Sequence, residues 1–207
     1  MKKYLLLFVC CLLICLVSCN HNNANVTNSI TTNEHFSITK TGNQFYCEIY
    51  NNSGETITVF GPTYKQPDVS IINNYIVKYS TQAGTGKSTQ STVYCNTTNG
   101  VCSQIFYGVF DETNTMVAYL GGINQIKIQN IFDEHQLIIL NDFDKELSPV
   151  IEPFISVAFS NDEKNLIIKY LTGPNFVVEE KIFNLEGDAR QGTVRANQGR
   201  ANQGTQS

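Results

Sequence analysis

The chain has 207 residues, a formal net charge of −4, 42% hydrophobic residues and no tryptophan. That length suffices for one domain with a real core. All three arginines, Arg190, Arg195 and Arg200, stand near the C-terminal end. The body therefore lacks the planar guanidinium fork that grips phosphate, and an acidic, arginine-free body argues against nucleic acid as a partner.

Taken in chain order, the first feature is an apolar segment, Tyr4 to Val17, preceded by Lys2 and Lys3 and followed by Ser18, Cys19 and polar Asn20 and His21. A membrane-spanning helix needs about 18–20 apolar residues; this run is shorter and has the flanks of a cleaved signal. Leu16-Val17-Ser18-Cys19 resembles the lipobox of a bacterial lipoprotein signal peptide. The resemblance implies that residues 1–18 are removed and that Cys19 is acylated. It also implies that the protein is held by the lipid bilayer on the extracytoplasmic face of the cell membrane. Each buried CH₂ of an acyl chain contributes about 0.8 kcal/mol, so stable anchoring takes more than one chain.

Residues 19–35 are rich in Asn and Thr and read as a flexible tether between lipid and domain. Residues 36–187 form the domain. Asp188 to Ser207 is a polar tail that contains RANQG twice, at Arg195–Gly199 and Arg200–Gly204. Two short polar repeats cannot bury a core, so the tail reads as disordered.

Within the domain, β-branched, apolar and Tyr/Phe residues recur in short runs broken by Gly, Asn and Asp. Strands are predicted at 36–40, 44–51, 56–61, 68–73, 75–82, 90–96, 101–109, 115–120, 125–132, 136–140, 154–160, 165–172 and 176–185. No segment sustains a helical period. The best helix candidate is the short polar stretch Asn141 to Leu147.

The strands repeat. Asn74 to Ser80, Thr115 to Leu120 and Asn165 to Leu171 resemble one another around Tyr79, Tyr119 and Tyr170. Each follows a short apolar strand and precedes a Gly-bearing turn and another strand. A unit of about 40 residues built of sequential antiparallel strands is what a propeller blade supplies. The fold class is therefore all-β: an antiparallel meander of about four short sheets in a propeller-like array, with a two-sheet β-sandwich as the alternative. From Gln66 onward the body resembles an uncharacterised group of secreted and lipid-anchored proteins of Gram-positive bacteria. The matching stretches are Gln66 to Ser70, Ala83 to Gln90, Met116 to Tyr119 and Asn130 to Asp133. The resemblance implies a shared fold and an extracytoplasmic setting, and no activity.

Four of the seven cysteines belong to the signal or the lipid site. Of the others, Cys95 and Cys102 flank Asn96 to Val101. A four-residue loop, Thr97 to Gly100, with Gly100 left-handed, sets Cys95 opposite Cys102 at disulfide distance. Cys47 reads as a buried thiol. Three cysteines without a nearby histidine are not a zinc set.

Other motifs dissolve on inspection. Gly86-Lys87-Ser88 has the tail of a phosphate-binding loop, but Thr81 stands where its first glycine belongs, and strands flank it where a helix should follow. It is expected to be a glycine-allowed hairpin turn, not a nucleotide site. Asp142, Asp144 and Glu146 alternate as in a calcium loop, yet Leu147 occupies the position of the turning glycine. Asp111-Glu112 and Asp133-Glu134 end two strands, where acids are ordinary turn chemistry; paired carboxylates could otherwise serve a glycosidase. His21, His35 and His135 join no nucleophile or metal motif. No catalytic, cofactor or metal residue is assigned. The expected function is a membrane-anchored binding or accessory module of the cell envelope, without enzymatic activity, whose partner is protein or envelope polymer. The alternative is an extracellular hydrolase with a site assembled from distant strands.

Overall fold

The structure, a computed structural model, describes residues 27–186 apart from Ile123, Gln136, Asp144 and Ile151. The signal segment, Cys19, His21, most of the tether and the RANQG tail lie outside the described residues.

Four antiparallel sheets follow one another along the chain, each with its strands in sequence order. Sheet one contains β1 (Thr27–Thr32), β2 (Phe36–Thr41), β3 (Gln44–Tyr50) and β4 (Thr56–Thr63). Sheet two contains β5 (Asp68–Asn73), β6 (Ile76–Gln82), β7 (Gln90–Asn96) and β8 (Phe106–Tyr107). Sheet three contains β9 (Val109–Glu112), β10 (Met116–Gly122), β11 (Gln125–Asn130) and β12 (Leu137–Leu140). Sheet four has β13 (Phe154–Phe159), β14 (Asn165–Thr172) and β15 (Val177–Asn184). The three tyrosine-bearing repeats are β6, β10 and β14, the second strand of sheets two, three and four.

Strand periodicity explains the stacking, because successive side chains point to opposite faces. Val77 and Tyr79 of β6 join Phe36, Ile38, Cys47 and Ile49 of sheet one in one core cluster. Their neighbour Ile76 joins Val109, Val117 and Ile131 in a second cluster, between sheets two and three. Ala118, next to Val117, joins Ile126, Ile128, Leu166, Ile168 and Phe183 in the third, between sheets three and four. The two middle sheets thus bury both faces, which a two-sheet sandwich would not require. Burying each aliphatic side chain stabilises the fold by about 1.5–3 kcal/mol, so the three clusters carry the array.

Polar ties reinforce the stack. Asp111 Oδ2 of β9 accepts the Phe159 amide of β13 at 2.7 Å. Glu112 receives Lys78 Nζ of β6 at 2.5 Å, and both side chains are largely buried. The Tyr94 hydroxyl donates to the other oxygen of Glu112 at 3.4 Å. Burial raises the Tyr94 pKa, and the Glu112 charge adds to the effect.

Three expectations are corrected. Thr27–Thr32, inside the segment read as tether, is a strand paired with β2 from Thr27↔Thr41 to Thr32↔Ser37. All its residues are exposed; the partner strand, not hydrophobic content, orders it. The single strand predicted over 101–109 is broken. Cys102 makes an isolated bridge to Cys95, and Gly108, at φ +62°, separates β8 from β9. Asn141 to Leu147 is not a helix; Leu147 instead bridges to Thr172, and Phe143 packs on Phe154, Tyr170 and Phe183.

Candidate functional site

The glycine turn joins β6 to β7, which pair without a register shift from Ile76↔Asn96 to Gln82↔Gln90. This is the expected hairpin, with two corrections. Lys87–Thr89 forms one turn of 3-10 helix, closed by the Thr89 amide on the Gly86 carbonyl at 3.1 Å. The glycines also do not supply positive φ: Gly86 is extended, at φ −85° and ψ 161°. Its missing Cβ serves close approach instead, because a Cβ there would lie 2.7 Å from Glu152 Oε1. That carboxylate fills the turn. Oε1 accepts the Ser88 amide at 3.1 Å and the Ser88 hydroxyl at 3.2 Å. The Ser88 amide, then the Lys87 amide, hold the Glu152 pKa below the usual glutamate value. The amide that a phosphate would need therefore serves an internal acid. Lys87 Nζ lies 5.6 Å from the centre of the Phe110 ring.

Cys95 and Cys102 are joined by a disulfide with Cα atoms 4.0 Å apart. Gly100 sits at φ +74°, and its amide donates to the Asn96 carbonyl at 2.9 Å. Cys47 is a fully buried free thiol. Burial, with the nearby Glu48 charge, pushes its pKa up to about 12, far from the range of a reactive thiolate. Tyr79, stacked on Phe60 at 4.2 Å, is likewise pushed up to about 12 by burial and then by Cys47.

Of the described acids singled out in the sequence, Glu146 lines a cleft, and Asp111, Glu112, Asp133 and Asp142 lie elsewhere. Asp111 and Glu112 hold the inter-sheet ties already described. Asp133 Oδ1 accepts the His135 amide at 2.9 Å as a turn. Of the alternating acids, Asp144 lies outside the described residues, and the Asp142 carbonyl accepts Lys181 Nζ at 3.1 Å. Among the described residues no group of three or more His, Cys, Asp or Glu could hold a metal ion. His35 is mostly buried beside Glu34.

Two surfaces stand out that sequence reasoning missed. One is a cleft of about 540 Å³ lined by Asn124, Asn141, Lys145 and Ser148 among others. Ser148 is buried there with its hydroxyl unpartnered, while Lys145 is paired with Glu179 at 2.5 Å. The other is the open side of sheet four. Register places Ile167 opposite Ile182 and Leu171 opposite Val178 on one face. Val178 is 58% and Ile182 60% exposed, and Ile155 of β13 is 53% exposed. Exposed apolar side chains on both sides of the Lys169–Glu180 pair give this face the character of an interaction surface. Only the stacking of the sheets shows that, among the described residues, no further sheet covers this face.

No described helix is long and apolar enough to cross a membrane. No family model matches the chain, and no curated protein matches it. Among solved structures, the chain is similar to the computationally designed Ika4 protein at 9% identity and TM-score 0.37, over 79% of this chain and 94% of that one. A eukaryotic initiation factor matches at 11% identity and TM-score 0.43, over 76% of this chain and 40% of that one. Kluyvelomyces marxianus Hsv2 matches at 11% identity and TM-score 0.38, over 73% of this chain and 50% of that one. The chain thus spans half or less of the last two, and likenesses this distant assign no activity.

Proposed function

We propose that this chain is a lipid-anchored, extracytoplasmic protein of the bacterial cell envelope. Acylated Cys19 holds it to the membrane, and it works as a non-enzymatic binding module through the open side of sheet four. The observation that carries the binding role is the exposed apolar face of β14 and β15, where Val178 and Ile182 stand in solvent at 58% and 60%. The anchor rests on Leu16-Val17-Ser18-Cys19 behind a short apolar run. The hydrolase reading has less support: Asp111, Glu112 and Glu152 are engaged in structural hydrogen bonds, and a general acid or base needs a free approach to substrate. The partner is protein or envelope polymer, not nucleotide, since Glu152 already occupies the one phosphate-like turn.

Radiolabelled palmitate fed to cells making the wild type or Cys19→Ala tests the anchor. Label on the wild type alone, with the variant released from the membrane fraction, is the expected result. Equal label on both proteins would show that another cysteine is acylated and would remove the anchor from the reading.

A further inference from the structure

We propose that sheet four is completed by a second copy of this chain, with β15 of one protomer pairing antiparallel with β15 of the other about a twofold axis at Glu180. This deepens the interaction reading of sheet four and rests on it; it names the partner.

Among the described residues, sheets one to three have four strands each and sheet four has three, ending on β15. The free edge of β15 differs from the other edges. Natural sheets blunt their edges with shortness, bulges, proline or charged side chains. β8 has two residues, and β9 and β12 have four each. The pairings of β1, β4, β5, β9 and β13 all carry register shifts, and β4 contains Pro62. β15 has eight residues and pairs with β14 through eight consecutive partners without a shift. It also exposes Val177, Val178 and Ile182. Glu179, Glu180 and Lys181 put charge at its centre, but its length and unbroken register make it a template for strand addition by a partner that matches those charges.

The sequence of β15, Val177-Val178-Glu179-Glu180-Lys181-Ile182-Phe183-Asn184, suits its own copy. Residues directly opposite across an antiparallel pair share a face. A twofold axis at Glu180 sets Val178 against Ile182 on the outer face, a pair that occurs twice; on the inner face Glu179 and Lys181 come opposite each other while Lys145 and the Asp142 carbonyl hold them within the protomer. Shifting the register by two residues either way sets Lys181 on Lys181 or Glu179 on Glu179 and breaks the apolar pairs. The cost of the favoured register is Glu180 facing Glu180. On each protomer Lys169 Nζ lies 3.4 Å from the Glu180 carboxylate and offsets that repulsion. The closed, isologous dimer is also the commonest oligomer symmetry. The chain's own tail, from Gly187 to Ser207, holds one valine and no other large apolar residue, so its sequence offers no counterpart to the Val178–Ile182 pairs.

The test uses the full chain in detergent micelles, with protein mass measured by light scattering and cross-linking read on non-reducing gels. The wild type is expected at twice the protomer mass. Val178→Lys/Ile182→Lys is expected to be a monomer that still unfolds cooperatively, with a thermal midpoint that no longer depends on protein concentration, since both positions are exposed in the protomer and only the association is lost. Glu180→Cys is expected to form a covalent dimer on mild oxidation. Val178→Cys alone is expected not to, whereas mixed with Ile182→Cys it should cross-link. A monomeric wild type, or a dimer that Glu180→Cys does not trap, would overturn the proposal. A chain that dimerises only after residues 188–207 are removed would overturn it too, giving the edge to the tail. A monomer whose sheet-four surface still cross-links to a different envelope protein would sink self-pairing and leave the wider interaction reading standing.

Discussion

Opening the Cys95–Cys102 bridge should weaken the domain without unfolding it. The two cysteines are seven residues apart. Loop-closure entropy for a ring of that size gives about 2.4 kcal/mol of stabilisation at 25 °C. A single domain has about 5–15 kcal/mol in total, so the loss is large but survivable. It should lower the thermal midpoint by about 5–10 °C. The local structure has other supports. Asn96 Oδ1 accepts the Thr98 amide at 2.9 Å, the Asn96 amide donates to the Val101 carbonyl at 2.8 Å, and Gly100 takes the left-handed conformation without strain. The β6–β7 register should therefore survive reduction. Urea unfolding of the full chain with and without reductant measures the difference. A Cys95→Ala/Cys102→Ala variant serves as the control that reductant should not affect. Coincident curves for oxidised and reduced wild type would refute the reasoning, as would a reduced protein with no cooperative transition.

Glu152 should titrate below an ordinary glutamate because the Ser88 and Lys87 amides favour its charged form. A depressed carboxylate contributes stability above its unfolded pKa and loses it as pH falls through the folded value. The Ser88 amide shift in NMR should follow that low midpoint in the wild type and lose it in Glu152→Gln. Glu152 is only partly covered and solvent screens it, so the accompanying change in stability should stay below about 1 kcal/mol. Cys47, fully buried with its pKa pushed up to about 12, should resist a thiol reagent at neutral pH and react on denaturation. Rapid modification of the native protein would contradict its place in the core between sheets one and two.

The sheets were legible because runs of β-branched, apolar and aromatic residues are broken by Gly, Asn and Asp, and the repeated Tyr79, Tyr119 and Tyr170 mark the second strand of three consecutive sheets. β1 was not, because Thr27 to Thr32 contains one large apolar residue, Ile30, and takes its conformation from β2. The break at Gly108 was hidden inside an apolar run whose register only the neighbouring sheets impose. The turn at Gly86 read correctly as a hairpin. The acid that fills it stands 64 residues away in sequence, and nothing local pairs the two. The open side of sheet four was equally hidden. Val177 to Asn184 reads as one more strand of apolar and charged residues, and only its place at the end of the described stack of sheets shows what it leaves uncovered.

The most direct test of the central claim is site-specific photo-cross-linking in intact cells, with the probe at Val178 of sheet four or at Val59 of sheet one. The two positions are matched in exposure, at 58% and 57%. The account predicts discrete adducts from Val178 and none from Val59. Adducts from Val59 alone, or equal labelling from both, would contradict sheet four as the binding surface.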